Sequence, residues 1–297
     1  MRDYVCGWVE YARTDDGAHV AYRILDQGAA CDGPVDIVMV SGGLFPMEVY
    51  EDDPGFVRLL EGLCSVGRVV VFDRRGLGLS DPIVDWNRPV LDQWADDLSA
   101  VVASSGTTNP VVFAWDGKGV ATRFAAAHRA RLRQLVLYQP VTRPDDGWDE
   151  WVATQLGARR GNLDGEETDF LEKIAPSHAS DASFREWYTR VGQLGASPTT
   201  AALIWESAFS SRPADQLLDR VETPTLVLYR CDDASAPAEA ALLVADQISG
   251  ATVVELDGGD HFPFLGDLDA VVAEIAHFVV GERRLPPVGA ENVIRVP

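Results

Sequence analysis

The sequence is poor in cysteine and has no long apolar run. Four of its 297 residues are cysteines, and they lie far apart (Cys6, Cys31, Cys64 and Cys231). No CxxC pair or zinc-type Cys/His spacing is present, so we expect free thiols and no bound metal. No apolar run is long enough to cross a bilayer, and the first residues lack a signal peptide's basic and apolar regions. These absences predict a cytoplasmic protein that does not bind membranes.

Basic side chains are also scarce. Asp and Glu number 46 against 25 Lys and Arg, which gives a formal net charge of −21. Such a surface repels nucleic acid and anionic lipid, so both are excluded as expected partners. The partner we expect is a small molecule, bound without a cofactor by a monomer or a homodimer.

What the sequence does contain is an alternation of short apolar runs with helical segments. Eight runs read as strands, at residues 8–14, 19–25, 35–40, 68–72, 110–114, 133–138, 225–229 and 252–256. Apolar runs that are each followed by a helix are typical of a parallel sheet covered on both faces. The pattern predicts an α/β fold with a mostly parallel eight-stranded sheet.

The alternation is interrupted once, after the sixth predicted strand. Residues 141–218 have helical spacing and no convincing strand. We therefore predict a helical lid (a cap) at 141–218, inserted into a core formed by residues 1–140 and 219–297.

Candidate catalytic residues follow four of the predicted strands, where open α/β sheets place their ligands. Asp116 occupies the tip of a strand–turn–helix elbow, a position that exposes a nucleophile. On local grounds alone it could equally be a helix N-cap. An acid, Asp232 or Asp233, and then His261 follow the next two strands along the chain after the lid, an order in which the acid orients the imidazole as a base. Gly43, in the glycine pair after the strand at 35–40, and Gly117, next to Asp116, can present backbone N–H groups to a developing negative charge.

Three segments carry a resemblance to a known superfamily. RVVVFDRRGLGLSD (68–81), PTLVLYRCDDASAP (224–237) and DHFPFLGD (260–267) resemble the α/β-hydrolase superfamily, and the overall sequence is most similar to bacterial members with a serine nucleophile. The resemblance implies the α/β-hydrolase fold. It also implies that His261 is the base, that Asp233 rather than Asp232 is the acid, and that Gly43 and Gly117 form an oxyanion hole.

The elbow departs from that resemblance, because aspartate stands where the serine is expected. An aspartate nucleophile is similar to that of epoxide hydrolases and haloalkane dehalogenases, but neither pattern is complete. The residue after the nucleophile is Gly117 instead of the halide-binding Trp, and the oxyanion motif is SGGL instead of HGxP. The predicted lid offers one tyrosine, Tyr188, and Lys118 stands where a small residue is usual.

The chemistry of a carboxylate nucleophile limits the kinds of substrate that Asp116 could attack. Attack on an ester would form an anhydride-like intermediate, whereas attack on an epoxide or alkyl halide carbon forms an ordinary ester. The leading hypothesis is therefore opening of an epoxide, or displacement of a halide, through Asp116, with water activated by His261 and Asp233.

Two alternatives stay open. One is a non-hydrolytic tailoring enzyme of secondary metabolism, in which Asp116 is a general acid or base for epoxide opening, C–C bond formation, cyclisation or rearrangement. The other is a ligand-binding protein without catalysis. In each case the ligand is expected to be hydrophobic or aromatic. Its predicted contacts, which core packing would also explain for most of the aromatic residues, are Leu44, Trp115, Trp151, Tyr188, Trp205 and Phe262.

Overall fold

A single sheet organises the chain. In the computed structural model the described residues are 5–26, 35–141, 170–210, 217–281 and 294–296. Their strands are β1 Val5–Cys6, β2 Glu10–Arg13, β3 His19–Asp26, β4 Asp36–Val40, β5 Arg68–Phe72, β6 Val111–Trp115, β7 Gln134–Tyr138, β8 Thr225–Arg230, β9 Thr252–Leu256 and β10 Ile294–Val296.

The strand order is β1-β3-β5-β4-β6-β7-β8-β9-β10, with β2 also paired to β3. Strand β3 is antiparallel to β5, and the pairs from β5 to β10 are all parallel. All eight predicted strands are present. The described sheet has ten, however, because β1 and β10 add two short strands that are too brief to show an apolar pattern.

Helices cover both faces of the sheet. They are α1 Pro54–Val66, α2 Val90–Ser104, α3 Lys118–Ala127, α4 Phe170–Ile174, α5 Ala182–Gly195, α6 Pro198–Ser210, α7 Ala238–Gln247 and α8 Leu268–Val280. Buried side chains of α1 and α8 pack in one core, and those of α2, α3 and α7 pack in a second core on the opposite face. Burial on both faces explains why β6 reads VVFAW, with no polar residue.

Local sequence explains where several helices begin. Helix α1 has Pro54 at its first position, and the preceding Asp53 accepts a hydrogen bond from the N–H of Phe56 at 2.8 Å. Helix α8 begins in the same way, since Asp267 accepts from the N–H of Ala270 at 3.0 Å. Helix α8 ends at Gly281, whose φ of 82° is the left-handed conformation that favours glycine.

The segment between β7 and β8 contains helices α4, α5 and α6 where the sequence predicts a lid. Residues 142–169 and 211–216 lie outside the described residues. The lid boundaries at 141 and 218 therefore stay a prediction. Among the described helices, none is long and apolar enough to cross a membrane.

A buried ion pair fixes the glycine-rich loop after β5. The guanidinium of Arg75 lies 2.7 Å from the carboxylate of Asp97 on α2, and both side chains are almost fully buried. Asp97 also accepts the backbone N–H of Arg75 at 2.8 Å. A second acid, Asp16, contacts the same guanidinium at 2.6 Å but is 44% exposed. One arginine therefore has a buried partner and an exposed partner.

Replacing the buried partner should cost much more stability than replacing the exposed one. We expect Asp97→Leu to lower the free energy of unfolding by about 3 to 5 kcal/mol, because the charge of Arg75 would stay buried without its partner. Asp16→Asn should cost about 1 kcal/mol or less, as is usual for a solvent-screened pair. Urea unfolding at pH 7.5 measures both, since burial raises the pKa of Asp97 to about 6. Equal losses in the two variants would contradict this account.

Candidate active site

Asp116 lies at a sharp turn between β6 and α3. Its φ is 50°, a left-handed conformation that is uncommon outside glycine but is tolerated by Asp. Its N–H donates to the carbonyl of Tyr138 at 3.2 Å, which fixes the turn to β7. The Asp116 side chain is 30% exposed, between the buried Trp115 and Gly117. The turn therefore has the form of the predicted elbow, and the buried Lys118 begins α3 without preventing it.

His261 lies between two carboxylates. Its Nδ1 is 2.6 Å from Oδ2 of Asp233, and its Nε2 is 3.8 Å from Oδ2 of Asp116. Asp233 has no exposed side-chain surface, whereas its neighbour Asp232 is exposed. The fold thus brings together the three predicted catalytic residues, although they are 28 to 145 positions apart in the sequence.

These two carboxylates determine the protonation of His261. Burial alone would lower the pKa of the imidazole, because the charged form loses its hydration. The interactions with Asp116 and Asp233 outweigh burial and raise the pKa of His261 to about 10. The two carboxylates therefore favour the charged, imidazolium form of His261.

Asp233 is held at both of its oxygens. Oδ1 accepts from the N–H and hydroxyl of Ser235 at 2.8 and 2.7 Å and from the N–H of Ala236 at 3.2 Å. Oδ2, which faces His261, also accepts from Nε2 of Gln139 at 2.5 Å. Sequence reasoning missed Gln139, which belongs to no recognisable motif. Its position at the carboxyl end of β7, beside β8, is the signal that could have indicated it.

The glycine loop after β4 packs directly against the elbow. A Cβ on Gly42 would lie 2.6 Å from Cβ of Asp116 and 2.4 Å from Nε1 of Trp115, so no side chain fits there. Gly43 has a φ of 52°, and its carbonyl accepts from Nη2 of the buried Arg74 at 2.6 Å. Gly117 lies immediately before α3, at the start of that helix. Of the two glycines predicted to bind an oxyanion, Gly117 thus directly follows Asp116 along the chain, and Gly43 follows the glycine that packs against Asp116.

The predicted substrate contacts differ in accessibility. Trp115 and Phe262 are buried in an aromatic cluster with Phe45 and Phe264, with ring centroids 5.2 to 6.3 Å apart. Tyr188 is half-buried on the edge of this cluster, 6.2 Å from the ring of Phe45. Leu44 and Trp205 are also half-buried, and Trp151 lies outside the described residues. The cluster therefore forms a wall beside the elbow, with Tyr188 more accessible than Trp115 or Phe262.

The loop that carries His261 is tied to the chain between β7 and β8. The N–H of His261 donates to the carbonyl of Ile174 at 2.8 Å. The preceding Asp260 accepts from the N–H and hydroxyl of Ser177 at 3.1 and 2.7 Å. The segment after α4 therefore helps to fix the backbone on which the imidazole stands.

No metal site accompanies this arrangement in the described part of the chain. A group of three or more His, Cys, Asp or Glu side chains that could hold an ion is absent there.

Comparison with known sequences identifies a family. A family model described as the alpha/beta hydrolase family matches residues 37–274. This range includes Asp116, Asp233 and His261. A search of curated protein sequences finds no significant match.

Comparison with solved structures identifies proteins of the same fold. A hydrolase from Pseudomonas aeruginosa is 22% identical, with a TM-score of 0.72 over 92% of this chain and 98% of that chain. An enol-lactonase from Burkholderia xenovorans is 18% identical, with a TM-score of 0.73 over 91% of this chain and 100% of that chain. An esterase from a Rhodococcus species is 22% identical, with a TM-score of 0.71 over 92% and 98% of the two chains. The predicted fold is confirmed.

The Asp116→Asn substitution should lower the pKa of His261 below its value of about 10. It removes one of the two negative charges that hold the proton on the imidazole. A titration of the imidazole by NMR measures this directly. Asp232→Asn is the matched control, because it removes an exposed charge next to the acid and should change the pKa far less. An unchanged titration in Asp116→Asn would show that this carboxylate is not coupled to His261.

The same coupling should appear in the pH dependence of stability. Because the pKa of His261 is raised in the folded state, its contribution is fully present below the unfolded pKa of about 6.5 and is lost as the pH rises through about 10. The free energy of unfolding should therefore fall more steeply between these pH values in the wild type than in Asp116→Asn.

Proposed function

Because the chain belongs to the alpha/beta hydrolase family, we propose that it opens an epoxide, or displaces a halide, at a saturated carbon through Asp116. The observation that carries this proposal is a partly exposed carboxylate at the elbow tip, with Nε2 of His261 3.8 Å away. In this family the elbow is the position of the nucleophile, and here the group presented there is a carboxylate.

The fold of this chain is similar to the folds of an esterase and an enol-lactonase. We infer a different kind of substrate for this chain, because the group at its elbow is a carboxylate. A carboxylate that attacks an ester carbonyl forms an anhydride, which gains nothing over the starting ester. A carboxylate that attacks a saturated carbon displaces a halide or an epoxide oxygen and forms an alkyl ester. We infer that the second kind of electrophile is the substrate.

The raised pKa of His261 gives the first step a proton. When Asp116 attacks the epoxide carbon, its C–O bond forms and the epoxide C–O bond breaks. The resulting alkoxide takes the imidazolium proton, directly or through solvent. With a halide, the proton leaves to solvent. Asp116 is then an uncharged ester, so the pKa of His261 falls and the neutral imidazole becomes a base.

The second step hydrolyses this ester. His261 takes a proton from water, and the hydroxide adds to the carbonyl carbon of the Asp116 ester while Asp233 stabilises the new imidazolium. The N–H groups of Gly43 and Gly117 are proposed to stabilise the oxyanion. Collapse breaks the original C–O ester bond, and the departing alkoxide takes the proton of the added hydroxyl. Asp116 returns as a carboxylate and His261 as an imidazolium.

The raised pKa of His261 also supports a second candidate, a non-hydrolytic tailoring enzyme of secondary metabolism. An imidazolium next to a carboxylate is an acid–base pair that can open or rearrange a substrate without a covalent intermediate. The two candidates differ in whether a bond to Asp116 ever forms.

The His261→Gln variant should accumulate the covalent intermediate, because the first step keeps its carboxylate nucleophile and can take its proton from solvent, whereas the second step has lost its base. The variant is incubated with styrene oxide, 1,2-epoxyhexane or 1-bromohexane, and the intact protein mass is measured. We expect an increase equal to the added alkyl group, located on the peptide that contains Asp116. A single turnover of the wild type in ¹⁸O-water should place the heavy oxygen in Asp116.

Two variants control this experiment. Asp116→Asn combined with His261→Gln should acquire no added mass, and His277→Gln, on the last turn of α8, should turn over without accumulating one. Turnover of a probe by the wild type, with neither an adduct in His261→Gln nor heavy oxygen in Asp116, would reject the covalent mechanism and favour the acid–base one.

A further inference from the structure

Gln139 has an unusual backbone conformation beside the catalytic acid. Its φ is 46°, and Asp116 is the only other described non-glycine residue with a positive φ. Such a conformation costs energy in a residue with a side chain, and it persists where surrounding contacts fix it. Here the N–H of Gln139 donates to the carbonyl of Leu228 on β8 at 2.9 Å. The left-handed turn directs a fully buried side chain toward the end of β8.

The orientation of the Gln139 amide is determined by its partners. The backbone N–H of Arg230 lies 3.3 Å from Oε1 of Gln139, and an N–H can only donate. The amide oxygen must therefore face Arg230, which leaves Nε2 to donate to Oδ2 of Asp233 at 2.5 Å. The Asp233 oxygen that binds the imidazole is thus shared between two donors.

We propose that Gln139 is a positioning residue, which keeps Oδ2 of Asp233 facing His261 and shares that oxygen with the imidazole. The proposal rests on the proposed roles of Asp233 and His261. Ser235 and Ala236 already donate hydrogen bonds to Oδ1 of Asp233. Gln139 donates to Oδ2, the oxygen that contacts His261, and so completes the set of donors to this carboxylate. A fully buried carboxylate is stable only when donors such as these replace its hydration.

The sharing has an electrostatic consequence. The positive end of the Gln139 amide dipole lies next to the oxygen that attracts the imidazolium, so it weakens that attraction. Without Gln139, His261 would be the only donor to Oδ2 and would hold its proton more strongly. The charged and titratable groups around this contact are Asp116 on β6–α3, Tyr138 on β7, Arg230 and Asp233 on β8 and its loop, and Asp260 beside His261.

The test measures the pKa of His261 by NMR in an Asp116→Asn background, so that it does not depend on the chemistry of Asp116. Gln139→Met keeps the length of the side chain but removes its donor. We expect the pKa of His261 to rise by about one unit, comparable to the loss of one hydrogen bond. Gln139→Gly is the second variant. Glycine adopts a φ of 46° without strain, so this variant should fold even if Gln139→Met does not. It should show a rise in the same direction.

Gln93→Met is the matched control for lost stability. Gln93 is also fully buried, and its Nε2 donates to the carbonyls of Asp85 and Arg88, away from the catalytic residues. It should lower the free energy of unfolding and leave the pKa of His261 unchanged. An unchanged or lowered pKa in both Gln139 variants would overturn the proposal and leave Gln139 a structural residue. Turnover of a probe with neither an adduct nor heavy oxygen in Asp116 would reject the covalent mechanism without affecting this result.

Discussion

The site depends on one interaction, the binding of the His261 imidazole between the carboxylates of Asp116 and Asp233. The three groups come from the ends of β6, β8 and β9, and parallel strands bring those ends to the same edge of the sheet. The His261 loop still has to be held in place over that edge. Arg230 does this, since its buried guanidinium donates to the carbonyls of Asp257 and Leu265 and to the hydroxyl of Tyr138. The buried positive charge of Arg230 therefore stabilises the backbone of the His261 loop.

Backbone strain is concentrated at the ends of two adjacent strands. Asp116 follows β6 and Gln139 follows β7, and both have positive φ values. Each turn is hydrogen-bonded to the neighbouring strand, so the sheet offsets the strain. As a result, the side chain of Asp116 is exposed at the elbow, while the side chain of Gln139 is directed to Asp233. The two strained turns therefore both help to form the arrangement of His261 between its two carboxylates.

The fold and the chemistry are set by different residues. The fold is shared with solved structures that include an esterase and an enol-lactonase. Under the proposed function, the group at the elbow tip decides the electrophile, because a carboxylate suits a saturated carbon where a hydroxyl suits a carbonyl. The segment between β7 and β8 adds a further constraint, because the carbonyl of Ile174 accepts from the N–H of His261 and Ser177 donates to the carboxylate of Asp260. Changes in that segment can therefore alter the site without contact with the substrate.

The sequence alone determined the strands, the helices and the order of the elbow, acid and histidine. Runs such as VVFAW and TLVLY are buried on both faces, and local composition is sufficient to reveal them. It missed β1 and β10, which are too short to carry a pattern, and it grouped Trp115 with the substrate contacts although its ring is buried. Only the tertiary structure decided that Gln139 binds Asp233, that Arg230 supports the histidine loop and that two carboxylates face the two ring nitrogens of His261. These features depend on distances between groups far apart in the chain, and no local pattern encodes such distances.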